Sequence, residues 1–448
     1  MSNGRPRGTF LGSMMLILIG ILFLVHNYRP DLVTWTWIGH WWPLLLILLG
    51  VIRLVENLTM RPGTRAMTGG EVFLLLLVLV VGVGISVSRK ALDHLQIDDE
   101  LDNPFSESAD ATEELPARDL RPGALVTINT PRGDISVDGS PDEKQLRIVV
   151  RKTAYAMSGD EAHSRASAAH VQVHETSAGI EVNTDAASGG NNPARVSFEV
   201  HLPKNVALDL RTSRGDVRAD EITGNVSVTV ARGNVEVRDT GGDVRADIGR
   251  GDAHISGVKS NVHVSGKGSH VEVEDVGGAA TIDGEFYGPI TARNVAKGAR
   301  FVSVHTDLTI GSLPGRMDVE SGDLRVENAG SPLLLTTGDK TINLEDISGR
   351  IRVQNKRGDI TVRLTAAPKE EIDLTNDSGT IELALPAKSA FDLSASSRSG
   401  EIQSELGESA LKSTQAKGDS TLEGKVGANG PKITITTSYG PIRLKHSD

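Results

Sequence analysis

The stretch that decides the fold runs from residue 215 to residue 282: Gly215-Asp-Val-Arg-Ala, Gly224-Asn-Val-Ser-Val, Gly233-Asn-Val-Glu-Val, Gly242-Asp-Val-Arg-Ala, Gly251-Asp-Ala-His-Ile, Ser260-Asn-Val-His-Val, Ser269-His-Val-Glu-Val and Gly278-Ala-Ala-Thr-Ile. Each unit starts nine residues after the one before. The apolar pair in each, such as Val235 and Val237, has period two, and the Gly-Asp or Gly-Asn ahead of it supplies turn chemistry. A unit is therefore a short strand plus a corner, with no room for a helix. Such a strand cannot bury its own apolar face, but stacked copies can, and the stretch reads as a β-solenoid. Gly215, Gly224, Gly233, Gly242, Gly251 and Gly278 are its expected corners.

The outward positions indicate how many units close one coil. In order they are Arg218, Ser227, Glu236, Arg245, His254, His263, Glu272 and Thr281. Two units per coil stack Arg218, Glu236, His254 and Glu272 on one face at the ~4.8 Å strand spacing, and Ser227, Arg245, His263 and Thr281 on the other. The first column then pairs opposite charges. An antiparallel meander would instead set His254 beside His263, so the eighteen-residue coil is favoured.

Outward from this block the unit recurs at Gly322, Gly349, Gly358, Gly379, Gly400 and Gly440, with Gly358, Gly379 and Gly400 each twenty-one apart. The phrases Leu202-Pro-Lys-Asn-Val-Ala-Leu-Asp-Leu, Ala367-Pro-Lys-Glu-Glu-Ile-Asp-Leu and Leu385-Pro-Ala-Lys-Ser-Ala-Phe-Asp-Leu match one another. Residues 211–448 are thus expected to be solenoid, and 121–210 a β-rich cap. In the cap, strands are expected over 146–151, 171–174 and 195–201, with a short helix opened by the Ser158/Glu161 capping-box spacing. Roughly eighteen coils from Arg121 would span on the order of 80 to 90 Å. The open edge is expected near Leu444, where copies would pair unless the charged tail blunts it.

Ahead of the cap, residues 91–120 carry ten acids between Asp93 and Leu120 against Arg118 alone, −9 of the net −11. With prolines at 104 and 116 and another at 122, this segment is expected to be a disordered, self-repelling tether. Residues 1–90 hold three apolar runs, 9–26, 37–55 and 71–88, each about long enough at ~1.5 Å per residue to cross a ~30 Å hydrocarbon layer. They read as an all-α, three-helix transmembrane anchor. No small-x-small site follows the first run, which is expected to be retained. Trp35, Trp37, Trp41 and Trp42 form an interface belt at the start of the second. Arg5, Arg7, Arg53, Arg61 and Arg65 outnumber Arg29, which places the N-terminus in the cytoplasm and everything after Ser88 outside, with Arg89 and Lys90 arguing the other way.

Composition excludes several chemistries. With Cys 0 there is no disulfide, thiolate metal site or cysteine nucleophile. No basic stripe or aromatic platform suits nucleic acid. Four Arg-Gly-Asp tripeptides, at Arg132, Arg214, Arg250 and Arg357, coincide with repeat corners and read as solvated turns. His254 and His263 project from opposite faces of an eighteen-residue coil and His270 occupies a corner, so no metal site is expected there. One Asp or Asn per corner falls short of the six to eight oxygens calcium takes. The acids spread singly, no nucleophile triad or phosphate loop occurs, and no tryptophan follows Lys90. Neither a cofactor nor catalysis is expected.

Gly12 to Asn27 (GSMMLILIGILFLVHN) and Trp41 to Val55 (WWPLLLILLGVIRLV) resemble the membrane region of Lia-type cell-envelope stress proteins. Residues from about Ala124 to Leu444, with the Leu-Pro and Leu-Asp-Leu phrases, the Gly-Asp-Val units and the closing Thr434-Ile-Thr-Thr-Ser-Tyr-Gly-Pro-Ile, resemble the bacterial DUF4097 adhesin-labelled family, related to toastrack-like β-repeat domains. The resemblance implies a mainly β, solenoid-like ectodomain with no catalytic motif to transfer, and a place in envelope-stress sensing. The expected protein is a multi-pass inner-membrane protein with an extracytoplasmic adhesive or scaffold module. Its expected partners are the lipid bilayer, an envelope polymer or protein, and its own copies. The rival class is a carbohydrate-active β-helix, which would show an acid-lined groove with carboxylates within ~5 to 10 Å of each other.

Overall fold

The computed structural model describes residues 107–184, 194–406, 410–416 and 418–447. The three expected spanning helices and the four tryptophans lie outside the described residues, as does the tether up to residue 106. What is described is almost wholly β: thirty-one strands and one helix.

Strands alternate between two sheets, here A and B, with a corner at each passage. Within the repeat block the register is eighteen residues: Val226 pairs Val244, Val244 pairs Val262 and Val262 pairs Ala280 in sheet B, all parallel. In sheet A, Val217, Val235, Ala253 and Val271 do the same. The outward columns expected from the sequence form. Arg218, Glu236, His254 and Glu272 are successive partners on sheet A, and Ser227, Arg245, His263 and Thr281 on sheet B. Every second side chain points inward, so Val226, Val228, Val235 and Val237 are all about 1% exposed or less. They join one aliphatic cluster that runs from Val126 to Leu444. At roughly 1.5 to 3 kcal/mol per fully buried aliphatic side chain, this interior is what holds the rungs together.

Three features depart from a simple coil. The first is at the proximal end. Leu125–Arg132 and Ile135–Ser140, expected in the cap, form a solenoid coil of their own, and it is not the outermost one. Leu125–Arg132 lies between Gly179–Thr184 and Ala207–Arg214, and Ile135–Ser140 between Arg195–Pro203 and Val217–Asp220. The cap proper is Gln145–Ala156, the helix Gly159–Ala168, Val171–Glu175 and an added strand, Glu107–Asp119. Ser158 caps the helix as expected, its hydroxyl accepting the Glu161 N–H at 3.4 Å.

Glu107–Asp119 corrects the expectation of a tether through residue 120. It pairs antiparallel with Gln145–Ala156 as the edge of sheet A. Its acids find partners there: Glu113 accepts from Lys152 at 2.6 Å, Asp110 from Thr153 at 2.7 Å and Asp119 from Gln145 at 2.9 Å. Neighbouring strand backbone offsets the ordering entropy that the segment alone could not.

The second departure is a reversal at mid-chain. Thr306–Val319 crosses from sheet B to sheet A antiparallel to both Ala299–Val302 and Ile290–Val295, then turns back into Asp323–Thr337. Parallel coiling resumes from there.

The third is at the distal end. Lys432–Tyr439 inserts between Ile372–Ser378 and Phe391–Ser399, and Ile442–His446 between Ile381–Leu385 and Ile402–Ser404. Leu444, 1% exposed, is therefore interior and not at an open edge. The outermost strands here are Ile402–Ser404 in sheet A and Leu411–Ala416 in sheet B. Because of the reversal and the hairpins, the sheets hold sixteen and seventeen rungs, on the order of 70 to 80 Å, and not eighteen coils.

Candidate binding surface

The corners explain why Gly-Asx recurs. The Asp134 carboxylate accepts the Asp216 N–H at 2.9 Å, Asp216 accepts from Asn234 at 2.7 Å, Asn234 from Asp252 at 2.9 Å, and Asp252 from His270 at 3.0 Å. The other corner repeats the device, with Asn225 accepting the N–H of Asp243, Asp243 that of Asn261 and Asn261 that of Ala279, each at 3.0 Å. Each side chain thus satisfies a backbone donor one coil on, a donor the turn would otherwise leave without a partner. At Asp243 the Ser260 hydroxyl, the Asn261 N–H and the Asn261 amide together hold the carboxyl below its usual range.

Two glycines show the space available. Gly233 has φ +141 and a Cβ there would lie 2.0 Å from the Gly215 carbonyl oxygen, while one on Gly242 would meet the Asn225 Oδ1 at 2.5 Å.

Three of the Arg-Gly-Asp tripeptides stack at the first corner, and their aspartates are the ladder acceptors just described. In the fourth, Asp359 accepts the Thr380 N–H at 2.7 Å, and Arg357 forms a two-point pair with Asp339 at 2.6 and 2.9 Å that holds the Asp339 carboxyl below its usual range. His254 lies on sheet A, 3.0 Å from Glu272, and His263 on sheet B, so the two are not brought together.

Sequence reading missed an acid-lined groove on the outer face of sheet A, about 460 Å³, whose lining includes Asp138, Asp220, Glu199 and His201. Asp138 and Asp220 are neighbours across parallel strands. His201 sits 3.9 Å from Asp138 and 3.5 Å from Glu199, and Arg218 sits 3.4 Å from Asp220. The side chains of Asp138 and Glu199 are 61% and 58% exposed. Outward alternation on Ile135–Ser140 and Arg195–Pro203 is readable, but their adjacency across sixty residues is not.

The mid-chain reversal opens a second cleft, about 310 Å³, lined by Phe286, Phe301, His305, Glu320 and Lys340 among others. The Lys340 ammonium donates to the Ser321 carbonyl at 3.2 Å and to that of Glu320, and burial pulls its pKa down.

On the remaining faces, several charged side chains pair with an opposite charge on a neighbouring rung. Glu274 pairs Arg293 at 2.8 Å, Arg325 pairs Glu345 at 3.3 Å and Glu382 pairs Lys445 at 2.8 Å. Such half-exposed pairs are worth ~0.2 to 1 kcal/mol each and make a solvated surface more than a stabilising one.

The sequence model of the Toastrack DUF4097 family matches residues 197–445, and that of the LiaF transmembrane domain matches residues 11–97. No curated protein matches the chain. Two solved structures do. A "putative cell adhesion protein" from Clostridium sporogenes ATCC 15579 is 9% identical, with 76% of this chain and 100% of that one covered and a TM-score of 0.16. A "putative adhesin" from Bacteroides fragilis NCTC 9343 is 11% identical, with 76% and 97% covered and a TM-score of 0.22. With the family model matched over more than half of its length, the chain belongs to the Toastrack DUF4097 family and is anchored in the membrane by a LiaF transmembrane domain.

Proposed function

We propose that the protein is an adhesin-like binding or scaffold module held outside the cytoplasmic membrane. Three N-terminal helices, a short acidic connection and an extracytoplasmic toastrack domain make up this reading, and an envelope polymer or protein is its partner. One observation carries it. The interior is filled with aliphatic side chains, so what the molecule offers is two rigid ladders of outward side chains at fixed ~4.8 Å spacing. A regular, pre-organised surface binds extended partners without an ordering cost of its own. The LiaF-type anchor suggests that such binding feeds an envelope-stress response.

Photo-crosslinking from exposed ladder positions in intact membranes, followed by identification of neighbours, tests the reading. Envelope polymer or extracytoplasmic protein among the adducts is expected. Cytoplasmic neighbours alone, or protease shaving of spheroplasts that leaves residues 107–447 intact, would refute it.

The acid groove on sheet A favours a second reading, carbohydrate cleavage. A glycosidase pair needs one carboxyl kept protonated by an apolar wall. Asp138 and Glu199 are exposed and share His201, which speaks for the binding reading. Reducing-sugar release from envelope polysaccharide that disappears in Asp138→Asn would reverse that order.

A further inference from the structure

Beyond Asp307, one outward column of sheet B runs through seven rungs without a charge. Thr336, Gln354, Thr375, Thr436, Ser396, Thr421 and Thr414 are successive cross-strand partners through seven rungs, none of them charged. Thr434 and Ser394 widen it by a second column at its middle, where the adjoining Asp373 is paired with Arg352 at 3.3 Å. The strip runs about 30 Å along the stack. It exists because Lys432–Tyr439 is inserted between two strands that precede it in sequence, which sets the Thr434 and Thr436 rung between Thr375 and Ser396.

The same coils carry Arg325, Glu345, Arg363, Glu382, Arg443 and Lys445 on sheet A, and the proximal half of sheet B carries Asp209, Arg211, Arg245 and Asp247. On sheet B the adjoining column does carry charge, Arg352 and Asp373 before Thr434 and Glu423 and Lys412 after Ser394, so the neutral run is a property of the main column alone. Among the described residues, none of the six hydroxyls in the main column has a hydrogen-bond partner. Tyr439, 61% exposed, ends the strand that bears Thr434 and Thr436, three residues beyond the main column.

Resting on the binding reading above, we infer that this strip is a docking face for a neutral, β-1,4-linked glycan lying along the stack. The main column offers no counter-charge to a polyanion or polycation, and beside it Arg352 is paired with Asp373 and Lys425 with Asp392, which disfavours both. Evenly spaced hydroxyls donate and accept, as sugar hydroxyls do, and an extended β-1,4 chain advances by close to one rung per sugar. Tyrosine presents an apolar ring face for a sugar plane and a polar tip. Because one neutral hydrogen bond adds little in water, affinity must build with the number of rungs engaged.

The test uses the full chain in lipid nanodiscs, with chitin beads and soluble N-acetylglucosamine oligomers as probes. Retention on the beads is expected, with the hexamer bound at least about tenfold more tightly than the dimer. Thr436→Lys should cut hexamer affinity by about tenfold, while Thr361→Lys, on sheet A, should leave it unchanged. If Thr436→Lys fails to fold, the exposed positions Gln354→Lys and Thr414→Lys carry the same test.

Binding with no length dependence, or equal in the sheet B variants and wild type, overturns the assignment of the strip and leaves the binding reading standing. No retention on chitin or cellulose, with crosslinking still finding envelope partners, does so too. Loss of a dimer in Thr436→Lys by light scattering would show that a second copy covers the strip, and also overturns the glycan assignment. Failure of both retention and crosslinking removes the binding reading itself.

Discussion

Gly233 shows how one atom sets the rung spacing. Its φ of +141 is a conformation L side chains rarely adopt, and the Gly215 carbonyl occupies the place of a Cβ at 2.0 Å. Since that carbonyl is backbone, no side-chain rotation relieves the clash. Gly233→Ala is expected to cost about 2 to 4 kcal/mol in urea unfolding. Gly338→Ala, where nothing lies within 4 Å of the added atom, should fall within about 0.5 kcal/mol of wild type. The Asx side of the corner adds a pH dependence. Asp243 has a folded-state pKa below its ordinary value, so its contribution is present above the unfolded value and is lost as pH falls through the folded one. Asp243→Asn should therefore flatten the acid limb of the stability curve below about pH 4, measured by urea midpoints across pH. An acid limb identical to wild type would show that the corner hydrogen bonds do not depend on the charge.

At the scale of the element, the added strand Glu107–Asp119 makes a testable edge. Lys152 is 7% exposed and its ammonium meets Glu113 at 2.6 Å, half in solvent. Removing the acid leaves a nearly buried cation alone, whereas an apolar replacement of the lysine needs no partner. Glu113→Gln should therefore destabilise by about 1 to 2 kcal/mol and Lys152→Met by less, read from thermal melts of the two variants side by side. A reverse order would mean that the pair is solvated. This strand also shows where sequence reasoning stops. Six acids or bases in thirteen residues read as disorder because burial is judged locally, and the partner strand that satisfies them begins at Gln145, twenty-six residues on from Asp119. The eighteen-residue coil was legible because Arg218, Glu236, His254 and Glu272 advertise their stacking through alternating charge. The order of the distal rungs was not: Ile372-Asp-Leu-Thr, Leu393-Ser-Ala-Ser and Ile433-Thr-Ile-Thr are interchangeable in pattern, so no residue type announces which sits in the middle. Likewise the acids of the sheet A groove are visible singly, and only the inserted rung at Ile135–Ser140 sets Asp138 between His201 and Asp220, with Glu199 opposite Ser136.

For the whole domain, the two insertions have one consequence. A repeat array is stabilised by nearest-neighbour contacts, so its outermost units open first, and in a simple solenoid those units are the first and last in sequence. Here Leu125–Arg132 and Lys432–Tyr439 each have strand partners on both sides. Leaving the stack from either position means breaking two ladders and exposing two apolar flanks, Val126 and Ile128 at one end, Ile433 and Ile435 at the other, all fully buried. The described strands with one free side are Leu411–Ala416, almost entirely exposed, and Val171–Glu175 in sheet B, with Ile402–Ser404 and Glu107–Asp119 in sheet A. Amide hydrogen exchange should therefore be fast in 411–416 and 171–175. Amides of 126–130 and 433–437 should be protected to within about tenfold of the central rungs at 226–248. Fast exchange in 433–437 together with 411–416 would mean that the distal rungs open as a block and that the insertion is no clamp. Protection there, combined with loss of the Gly400 rung when the chain is cut back to residue 430, would show the inserted strand holding its neighbours. Gly440 lies between Gly400 and Gly379, its carbonyl 2.0 Å from where a Cβ on Gly400 would sit and its own Cβ position 2.1 Å from the Gly379 carbonyl.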